Sequence, residues 1–566
     1  MTKTWQLKKA ADEEMANCLG KELNINSIIA KLLVQRGIED FDAAKTYFRP
    51  NLEDLHDPFF MTDMDKAVSR LNDALFNEEH ILIYGDYDVD GTTSVALVYN
   101  FLKEFYTNID FYIPDRYSEG YGISTKGIDW AAEHGYSLIV ALDCGITAVD
   151  KVDYASEKNL DFIICDHHLP GDVLPNAAAV LDPKRRDCFY PYDGLSGCGV
   201  GFKLLQAFCI QNTIELEKLY EHLDLVAVSI ASDIVPITDE NRILAWYGLK
   251  KLNSAPSAGL KALIKIAGFK HELDISNVVF GLGPRINAAG RINHAKASVD
   301  LLIADTEEAA LQLATKLNIN NKERREYDEA ITAEALEMIS ENKKLAESKS
   351  TVLYHEKWHK GIVGIVASRC IEQYYKPTII LTESNGKATG SARSVEGFDV
   401  YEAIKSCADL LEQFGGHKYA AGLTLPLENI SAFQKQFELE VSKNITEDQL
   451  VPKIKVDQEI NFKDIDFKLL NLLKQMGPFG PFNMQPVFVT KNVVLKKEVR
   501  LLKELHLKLI VKQENEETII DAIGFNLGQF AEKLHQPFSM VYTIEENNFM
   551  GNKSIQLNLK DIQIND

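Results

Sequence analysis

Short apolar runs alternate with amphipathic segments between about residue 80 and residue 182. Four of the apolar runs end in an aspartate: HILIYGD (80–86), SLIVALD (137–143), DFIICD (161–166) and AAAVLD (177–182). Helical patterns such as TSVALVYNFLKEF (93–105) separate some of them. Strands that alternate with helices indicate a parallel sheet, and ligands bind beyond the carboxyl ends of its strands. The pattern therefore predicts an α/β domain with an acidic cleft at that edge of its sheet.

The pattern changes three times in the rest of the chain. Residues 304–345 have the pattern of one long or two broken polar helices, which predicts a connector. A second α/β region follows, with predicted strands at 351–355, 378–382 and 387–394. Residues 452–566 carry several short β-like runs without helical spacers, which indicates a small barrel or sandwich.

These changes predict five regions. They are an N-terminal segment (1–65), a first α/β domain (66–300), a helical connector (301–345), a second α/β domain (346–448) and a C-terminal β-rich domain (449–566). A chain of 566 residues is too long for one hydrophobic core, so several domains are also expected from its length.

The net charge of −22 argues, taken alone, against a nucleic-acid-binding protein coated in basic residues. The excess is uneven, however, because residues 451–566 contain 15 basic and 15 acidic side chains. The eight cysteines include no CxxC pair, which excludes a zinc ribbon and a disulfide framework. No apolar stretch reaches ~18 residues, so we expect no membrane association and, most simply, a cytoplasmic location.

The first candidate chemical motif is GDYDVDG (85–91), which follows a predicted strand. Residues two apart in an extended chain point the same way, so Asp86, Asp88 and Asp90 are expected to converge. Close carboxylates are stable together mainly around a cation. An EF-hand loop is excluded, because its twelfth position would be Leu97 instead of glutamate. An ordinary acidic turn stays open for this motif alone.

Three further motifs place an acid or a histidine where an apolar segment stops: ALDCG with Asp143, CDHH with Asp166, His167 and His168, and ASDIVP with Asp233. A lone aspartate at a strand end is usually a cap, and paired histidines are often surface residues. All four motifs, however, lie at equivalent positions of one predicted fold, each at the end of an apolar segment. Carboxylates with a neutral imidazole suit Mn²⁺ or Mg²⁺, so the combination predicts a site for two such ions.

Together the four motifs resemble the DHH phosphoesterase superfamily, whose name-giving triplet is Asp166-His167-His168 here. GIVGIVASR (361–369), GSARS (390–394) and FGGHKYAAG (414–422) resemble the DHHA1 domain that follows DHH domains. With a β-rich tail like an OB-fold, nearly the whole chain resembles the RecJ family, bacterial 5′→3′ exonucleases specific for single-stranded DNA. The resemblance implies two α/β lobes, DHH and DHHA1, a long helical connector and a C-terminal OB-like barrel.

The resemblance also implies roles for the motif residues. Asp143 is expected to bridge two ions, Asp86, Asp88 and Asp90 to divide between them, and His167 and Asp233 to complete the ligand set. His168 is expected to face the scissile phosphate. Asp166 is either a catalytic residue or only orients a neighbouring ligand.

Basic residues of two segments are candidates for contact with DNA. GPRINAAGRINHAKAS (283–298) contains Arg285, Arg291 and Lys296 and no acidic residue. The alternatives for this segment are phosphate contact and a connector capped by basic side chains. Arg116, in IPDRYSEGYG, is expected from the resemblance to join the groups that bind the 5′ end.

The DHHA1-like region supplies the other candidates. Ser391 and Arg393 in GSARS offer close backbone approach and a guanidinium fork for phosphate. The resemblance implies that this loop recognises the 5′ end of the DNA strand. Gly415, Gly416 and His417 are either an ordinary Gly-Gly turn or a substrate-binding loop. If these groups hold a terminal phosphate at a fixed distance from the metals, the enzyme must begin at a strand end.

The tail segment 491–512 carries seven Lys/Arg against two Glu. A solvated strand face is one interpretation, and a basic surface that tracks single-stranded DNA is the other. Phe479, Phe482 and Phe488 are candidates for base stacking, with core packing the alternative for at least one of them.

The leading hypothesis is a metal-dependent 5′→3′ exonuclease on single-stranded DNA, serving recombination and repair. The competing hypotheses are a DHH phosphodiesterase for nano-RNA or cyclic dinucleotides, and a non-catalytic single-strand-binding scaffold. The β-rich tail argues against the first alternative, and the complete set of metal-binding carboxylates argues against the second. Family resemblance further suggests a monomer that works with single-strand-binding protein and a DNA helicase.

Overall fold

A computed structural model describes residues 3–292, 294–549 and 551–564. The chain forms two compact units. The smaller unit contains Asn321–Lys455 and the described residues up to Gln6, and the larger unit contains Leu7–Asn320 and the chain from Val456 onward. Within the described residues, no helix is both long and apolar enough to span a membrane.

The larger unit contains a parallel α/β domain whose five-stranded sheet has the order β3-β2-β4-β5-β6. Its strands are β2 (Ile81–Gly85), β3 (Ile109–Tyr112), β4 (Leu138–Leu142), β5 (Asp161–Cys165) and β6 (Ala179–Leu181). The four predicted strands are therefore confirmed. The sequence pattern does not predict β3, because IDFY is short and lies at the sheet edge with only Ile109 buried.

Helices cover this sheet and build the rest of the α/β domain. They are α4 (Met64–Phe76), α5 (Val89–Lys103), α6 (Thr125–Glu133), α7 (Val149–Ser156), α8 (Gly197–Gln211), α9 (Leu216–Tyr220), α10 (Leu223–Ser232), α11 (Asp239–Ser254), α12 (Ala258–Ala267), α13 (Ile275–Asn277), α14 (Gly283–Ile292) and α15 (Lys296–Leu302). Both α5 and α8 are buried almost throughout their length, which places them inside the domain core. The starts of these two helices lie at the carboxyl edge of the sheet, where the candidate ligands are.

The C-terminal region of the larger unit is a closed barrel. Its strands are β13 (Gln458–Glu459), β14 (Phe488–Leu495), β15 (Arg500–Leu502), β16 (His506–Gln513), β17 (Ile519–Gly524), β18 (Phe538–Phe549) and β19 (Asn552–Ile564), with α21 (Phe467–Gln475) before β14. Pairing of β14 with β16 closes the ring β14-β18-β19-β17-β16, in which only β17 and β19 are parallel. This five-stranded closure is the OB-like barrel that the sequence predicts.

Three N-terminal helices, α1 (Glu13–Glu22), α2 (Ser27–Val34) and α3 (Phe41–Phe48), pack against the barrel. Leu32 of α2 lies in one core cluster with Phe462 and Phe538. Burial of such side chains stabilises a fold by about 1.5–3 kcal/mol each. The N-terminal helices and the barrel therefore share one core, although they lie at opposite ends of the sequence.

The smaller unit has a five-stranded sheet of order β10-β11-β9-β8-β7, in which only β7 and β8 are parallel. Its elements are β7 (Thr351–Tyr354), α18 (Val363–Gln373), β8 (Thr378–Ser384), β9 (Lys387–Arg393), α19 (Val400–Lys405), β10 (Gln413–His417), β11 (Ala420–Pro426) and α20 (Ile430–Asn444). The remaining strands among the described residues are β1 (Thr4–Leu7) and β12 (Lys453–Val456), which pair with each other. The predicted polar connector is the helix α16 (Glu307–Glu341), followed by α17 (Lys343–Glu347).

Candidate active site

The three aspartates of GDYDVDG do not lie on one extended strand, so the period-two prediction is wrong for this motif. Asp86 follows β2, Asp88 caps α5 by accepting a hydrogen bond from the Gly91 amide at 3.0 Å, and Asp90 lies in the first turn of α5. The helix begins earlier than expected because the Asp88 side chain satisfies one of its free N–H groups. The carboxylates still gather at the sheet edge.

Asp90 is fixed at the start of the buried helix α8. Its two carboxylate oxygens accept hydrogen bonds from the amides of Gly197, at 2.7 Å, and Cys198, at 2.9 Å. The Ser229 hydroxyl donates a third hydrogen bond at 2.6 Å. These three hydrogen bonds at the positive end of the α8 dipole hold the Asp90 carboxylate in a fixed position.

Asp90, Asp143, His167 and Asp233 converge on one point. The His167 Nε2 atom lies 3.2 Å from Asp143 Oδ1, 3.5 Å from Asp233 Oδ2 and 3.7 Å from Asp90 Oδ2. The ligand atoms of one octahedral ion with ~2.1 Å bonds stand about 3 Å apart, so these separations suit donors around a shared cation. The structure thus brings together four of the predicted ligands.

Several donor atoms of the cluster are buried and lack a hydrogen-bond partner within the described part of the chain. They are both carboxylate oxygens of Asp86, Asp143 Oδ1, and both ring nitrogens of His167. Buried polar atoms without partners are costly, and a divalent cation is the partner that oxygen donors and a neutral imidazole share. The donor set therefore fits Mn²⁺ or Mg²⁺.

The pKa values of the cluster also favour a bound divalent cation. Burial and the carboxylate of Asp88 raise the pKa of Asp86, while burial and the charges of Asp90 and Asp88 raise the pKa of Asp143. Burial, Asp90 and Asp88 raise the pKa of Asp233 to about 8. Burial lowers the pKa of His167, which favours the neutral imidazole that can bind a metal. Without a cation, the crowded carboxylates repel one another.

Asp166 is occupied by protein donors. Its Oδ1 atom accepts hydrogen bonds from the His168 ring Nδ1 at 2.8 Å and from the amides of His167 and His168, and its Oδ2 atom accepts one from the Ile146 amide. Burial opposes ionisation, but the His168 contact and these amides outweigh it and hold the pKa of Asp166 at about 2. This geometry favours the orienting role among the two that the sequence left open.

His168 differs from His167 in both exposure and charge. Its side chain is 46% exposed, whereas that of His167 is 7% exposed. Burial lowers the pKa of His168, but the Asp166 carboxylate outweighs burial and raises that pKa to about 9. In the metal-free protein His168 is therefore a cation at neutral pH and faces the open side of the cluster, as expected of a group that meets a phosphate.

Two side chains beside the cluster were not found from the sequence. The ammonium group of Lys184 donates a hydrogen bond to the His167 carbonyl oxygen, which places a positive charge beside the candidate ligands. The Tyr121 hydroxyl lies 3.4 Å from His168 Nε2, and its ring is 53% exposed. Neither residue stands in a motif whose spacing signals chemistry, so only the fold reveals them.

The helix α14, from GPRINAAGR, packs its glycines against the ligand segments. A Cβ atom at Gly290 would lie 2.9 Å from the Tyr87 carbonyl oxygen, and one at Gly283 would lie 2.9 Å from the Ser232 hydroxyl. Tyr87 stands between Asp86 and Asp88, and Ser232 precedes Asp233. Residues Gly283–Ile292 of this segment are thus a helix that packs against two segments with candidate ligands, and neither phosphate contact nor a basic cap is decided by this packing.

The candidate arginines of the larger unit have different surroundings. Arg285 donates hydrogen bonds to Asn318 Oδ1, at 3.0 Å, and to the Gly281 carbonyl oxygen, at 2.5 Å, so it bonds within the protein. The Arg116 guanidinium lies over the Tyr87 ring, 4.2 Å from its centroid. Burial raises the pKa of Asp86, and the charge of Arg116 offsets a small part of that rise. The carbonyl oxygen of Arg291 accepts a hydrogen bond from the Tyr117 hydroxyl. Arg116 is therefore the predicted arginine with the clearest link to the cluster, and its DNA contact stays a prediction.

In the smaller unit, Ser391 and Arg393 meet at the start of α18. The Arg393 guanidinium donates a hydrogen bond to Ser391 Oγ at 3.1 Å, and a Cβ atom at Gly364 would lie 2.9 Å from Arg393 Nη2. A guanidinium and a hydroxyl beside the start of a helix form a suitable anion site. Burial lowers the pKa of Arg393, yet arginine stays charged.

Of the two alternatives for Gly415 and Gly416, the ordinary Gly-Gly turn is excluded, and the substrate-binding role stays a prediction. Both residues and His417 lie in the edge strand β10, and the reverse turn comes at Lys418 and Tyr419. Gly416 has φ = 142°, and a Cβ atom there would lie 2.4 Å from the Ala420 carbonyl oxygen, so the close pairing with β11 requires glycine. His417 is exposed on this strand.

Of the three phenylalanines considered for stacking, Phe488 is fully buried in the core shared by the barrel and the N-terminal helices. Phe479 is half-buried against that core, and Phe482 is 79% exposed. Core packing thus explains Phe488, and Phe482 is the ring that is free to stack.

Comparison with known proteins agrees with this architecture. Family models for the DHH family N-terminal domain, the DHHA1 domain and the RecJ OB domain match residues 80–230, 347–443 and 456–561. The RecJ protein of Bacillus subtilis, named a single-stranded-DNA-specific exonuclease, is 36% identical over 569 residues, which cover 99% of this chain and 71% of that protein. The chain belongs to the RecJ family.

Two further members of the RecJ family extend the match. The Escherichia coli protein of the same name is 33% identical over 526 residues, which cover 89% of this chain and 90% of that protein. The crystal structure of RecJ in complex with Mn²⁺ from Thermus thermophilus has a TM-score of 0.86 and 25% identity, and the match covers 100% of this chain and 80% of that one. A divalent-metal site in this fold and the family resemblance of the motifs are thereby confirmed.

Proposed function

We propose that the protein is a metal-dependent exonuclease that degrades single-stranded DNA from the 5′ end to mononucleotides, in DNA recombination and repair. The observation that carries the proposal is the buried cluster of Asp86, Asp143 and His167 at the carboxyl edge of a DHH-type sheet. Within the described part of the chain, both Asp86 carboxylate oxygens, Asp143 Oδ1 and both His167 ring nitrogens lack a hydrogen-bond partner. Membership of the RecJ family supplies the substrate class.

Two divalent ions, Mn²⁺ or Mg²⁺, would be held by a single set of residues. Asp143 would bridge them, and the remaining ligands would be Asp86, Asp88, Asp90, His167 and Asp233. When bound, the ions would activate water and neutralise the charge that develops on the phosphoryl and leaving oxygens. The distances of 3.2–3.7 Å from His167 Nε2 to carboxylate oxygens of Asp90, Asp143 and Asp233 support this assignment.

The other residues of the site position ligands and substrate. Asp166 fixes the imidazole of His168 through the 2.8 Å Nδ1 hydrogen bond, and thereby directs Nε2 to the open side. Protonated His168 would donate a hydrogen bond to a non-bridging oxygen of the scissile phosphate. The hydrogen bonds that Asp90 accepts at the start of α8 keep the ligand set from shifting as charge develops.

Each unit has its own candidates for contact with the 5′ end. In the smaller unit, Ser391, Arg393 and the start of α18 would bind a terminal phosphate. In the larger unit, the candidate is Arg116. Arg285 and Arg291, which lie in helix α14, would contact phosphates of the DNA backbone. Gly415, Gly416 and His417, which lie in β10, would contact the DNA strand. The hydrogen bond between Arg393 and Ser391 supports a preformed anion site.

The cellular setting follows from the same proposal. The barrel would track the single strand, since OB-folds bind single-stranded nucleic acid with basic grooves and stacking rings. The protein would act as a cytoplasmic monomer alongside single-strand-binding protein and a DNA helicase.

A substrate panel tests the function. Purified protein with Mn²⁺ would be incubated with a 5′-phosphorylated single strand, the matched duplex and a cyclic dinucleotide. We expect mononucleotides from the single strand alone, appearing first from a label at the 5′ end. Hydrolysis of the cyclic dinucleotide alone would instead identify a dinucleotide phosphodiesterase, and binding without any hydrolysis would identify a scaffold.

A further inference from the structure

Two apolar residues of the larger unit have an unusual backbone. Among the described residues, 14 residues other than glycine have a left-handed φ, and only Ile234 and Phe482 among them are apolar, with φ of 61° and 62°. A branched or bulky side chain disfavours this conformation, so both positions reduce the stability of the fold. Both side chains also face solvent, with 62% and 79% exposure. Core packing therefore does not explain either residue.

The conformation of Phe482 is imposed by a tight turn. The amides and carbonyl oxygens of Gly480 and Asn483 form two hydrogen bonds, at 3.1 and 2.9 Å, which leave Pro481 and Phe482 at the tip. Asn483 is 2% exposed and accepts hydrogen bonds from Arg36 and the Tyr47 hydroxyl. The turn is thus held rigidly, and its third position, which favours glycine, presents an aromatic ring instead.

The two exposed residues belong to segments that are bonded together. The Ile237 amide donates a hydrogen bond to the Pro481 carbonyl oxygen at 2.9 Å, and a Cβ atom at Gly480 would lie 2.5 Å from Ile237 Cγ1. Ile234 lies three residues before Ile237 and directly after Asp233, whose carboxylate lies 3.5 Å from His167 Nε2. The barrel turn and the metal-ligand segment therefore form one packed structure.

We propose that Ile234 and Phe482 form an apolar ledge on which a base of the single strand stacks beside the metal site. Single-stranded bases expose their faces, and aromatic rings bind them without sequence preference. Paired bases keep their faces covered, so the ledge would also favour a single strand over a duplex. The inference rests on the proposed function, because it takes the occupant to be single-stranded DNA.

The test is to replace Phe482 by glycine and by tryptophan in the full chain. Phe482→Gly removes the ring and suits the left-handed backbone, so we expect a higher melting temperature together with a KM for single-stranded DNA raised roughly tenfold. Phe482→Trp keeps a stacking surface, and its KM is expected to stay within about twofold of the wild type. Ile234→Gly is expected to combine a higher melting temperature with a smaller rise in KM.

Strands with one abasic position identify the base. In the wild type, one abasic position near the cleaved end should raise KM by the same factor as Phe482→Gly, and in Phe482→Gly that position should have no further effect. The control is Phe76→Ala, since Phe76 is 88% exposed at the end of α4, near the amino end of β2, and its loss should leave KM unchanged.

A variant Phe482→Gly with a higher melting temperature and an unchanged KM would overturn the inference, and so would equal KM values for the glycine and tryptophan variants. Continued hydrolysis in those variants would leave the proposed function intact. If the wild type hydrolysed no single strand, the proposed function would fail. Fluorescence anisotropy would then still compare the affinities of the wild type and the Phe482 variants for the same strands.

Discussion

Asparagine in place of Asp143 is expected to reduce hydrolysis of single-stranded DNA by at least about a thousandfold. Asp143 is 1% exposed, and its Oδ1 atom lies 3.2 Å from His167 Nε2. In the proposed site its carboxylate would contact both ions. Asparagine tolerates the left-handed φ of 59° at this position, so the backbone should keep its course. The loss would therefore reflect the missing negative charge and not a changed fold.

The same variant should not lose stability in the absence of metal. Burial and the carboxylates of Asp90 and Asp88 raise the pKa of Asp143, so an uncharged amide relieves repulsion in the metal-free protein. We expect its melting temperature in EDTA to equal or exceed that of the wild type, and added Mn²⁺ to stabilise it less. Asp172→Asn, at a 97% exposed side chain, is the matched control and should retain full activity. Near-normal turnover by Asp143→Asn would remove the bridging role.

Alanine in place of Gly197 is expected to damage both the site and the fold. A Cβ atom at this position would lie 2.5 Å from Asp143 Cβ and 2.8 Å from Asp143 Cα, so the backbone at Asp143 would have to move. Gly197 also donates the 2.7 Å hydrogen bond to Asp90. We expect the free energy of unfolding to fall by about 1–3 kcal/mol, and activity at saturating Mn²⁺ to fall at least about tenfold.

Chemical denaturation and a Mn²⁺ titration of activity measure these two effects. The control is Gly171→Ala, because its Cβ atom would approach no atom closer than 3.8 Å, and it should behave as the wild type. Wild-type stability together with wild-type metal dependence in Gly197→Ala would show that the close approach to Asp143 has no consequence.

The sheet and the gathering of ligands at its edge could be predicted because they depend on local patterns. Asp143 and Asp166 follow buried parallel strands whose carboxyl ends must meet, so the fold class alone brings them together. That His167 and His168 have different surroundings also follows from their adjacency, since neighbouring residues of an extended chain point apart. Which of the two is buried beside the carboxylates is known only from the structure.

The rest depends on contacts between distant parts of the chain. The anchoring of Asp90 requires the start of α8, more than one hundred residues away, and no spacing rule signals it. The core that Leu32 shares with Phe538 joins the two ends of the larger unit in the same way. Gly415 and Gly416 suggest a turn locally, but both pair with β11 as part of a strand. Tertiary contacts override local preference at each of these places.

The excess of acid, which at first argued against nucleic acid, also depends on placement. Part of it is the buried cluster of Asp86, Asp90 and Asp143, which bound cations would neutralise. Net charge describes the whole surface, whereas recognition depends on the local field at the site.

The most direct test of the account is anomalous diffraction from crystals soaked with Mn²⁺ and a short 5′-phosphorylated single strand. We expect two manganese peaks about 3.5–4 Å apart, with Asp143 between them, His167 and Asp233 among the ligands, and the strand's phosphate beside His168. A single peak, or two peaks that Asp143 does not contact, would contradict the two-metal mechanism proposed for this chain.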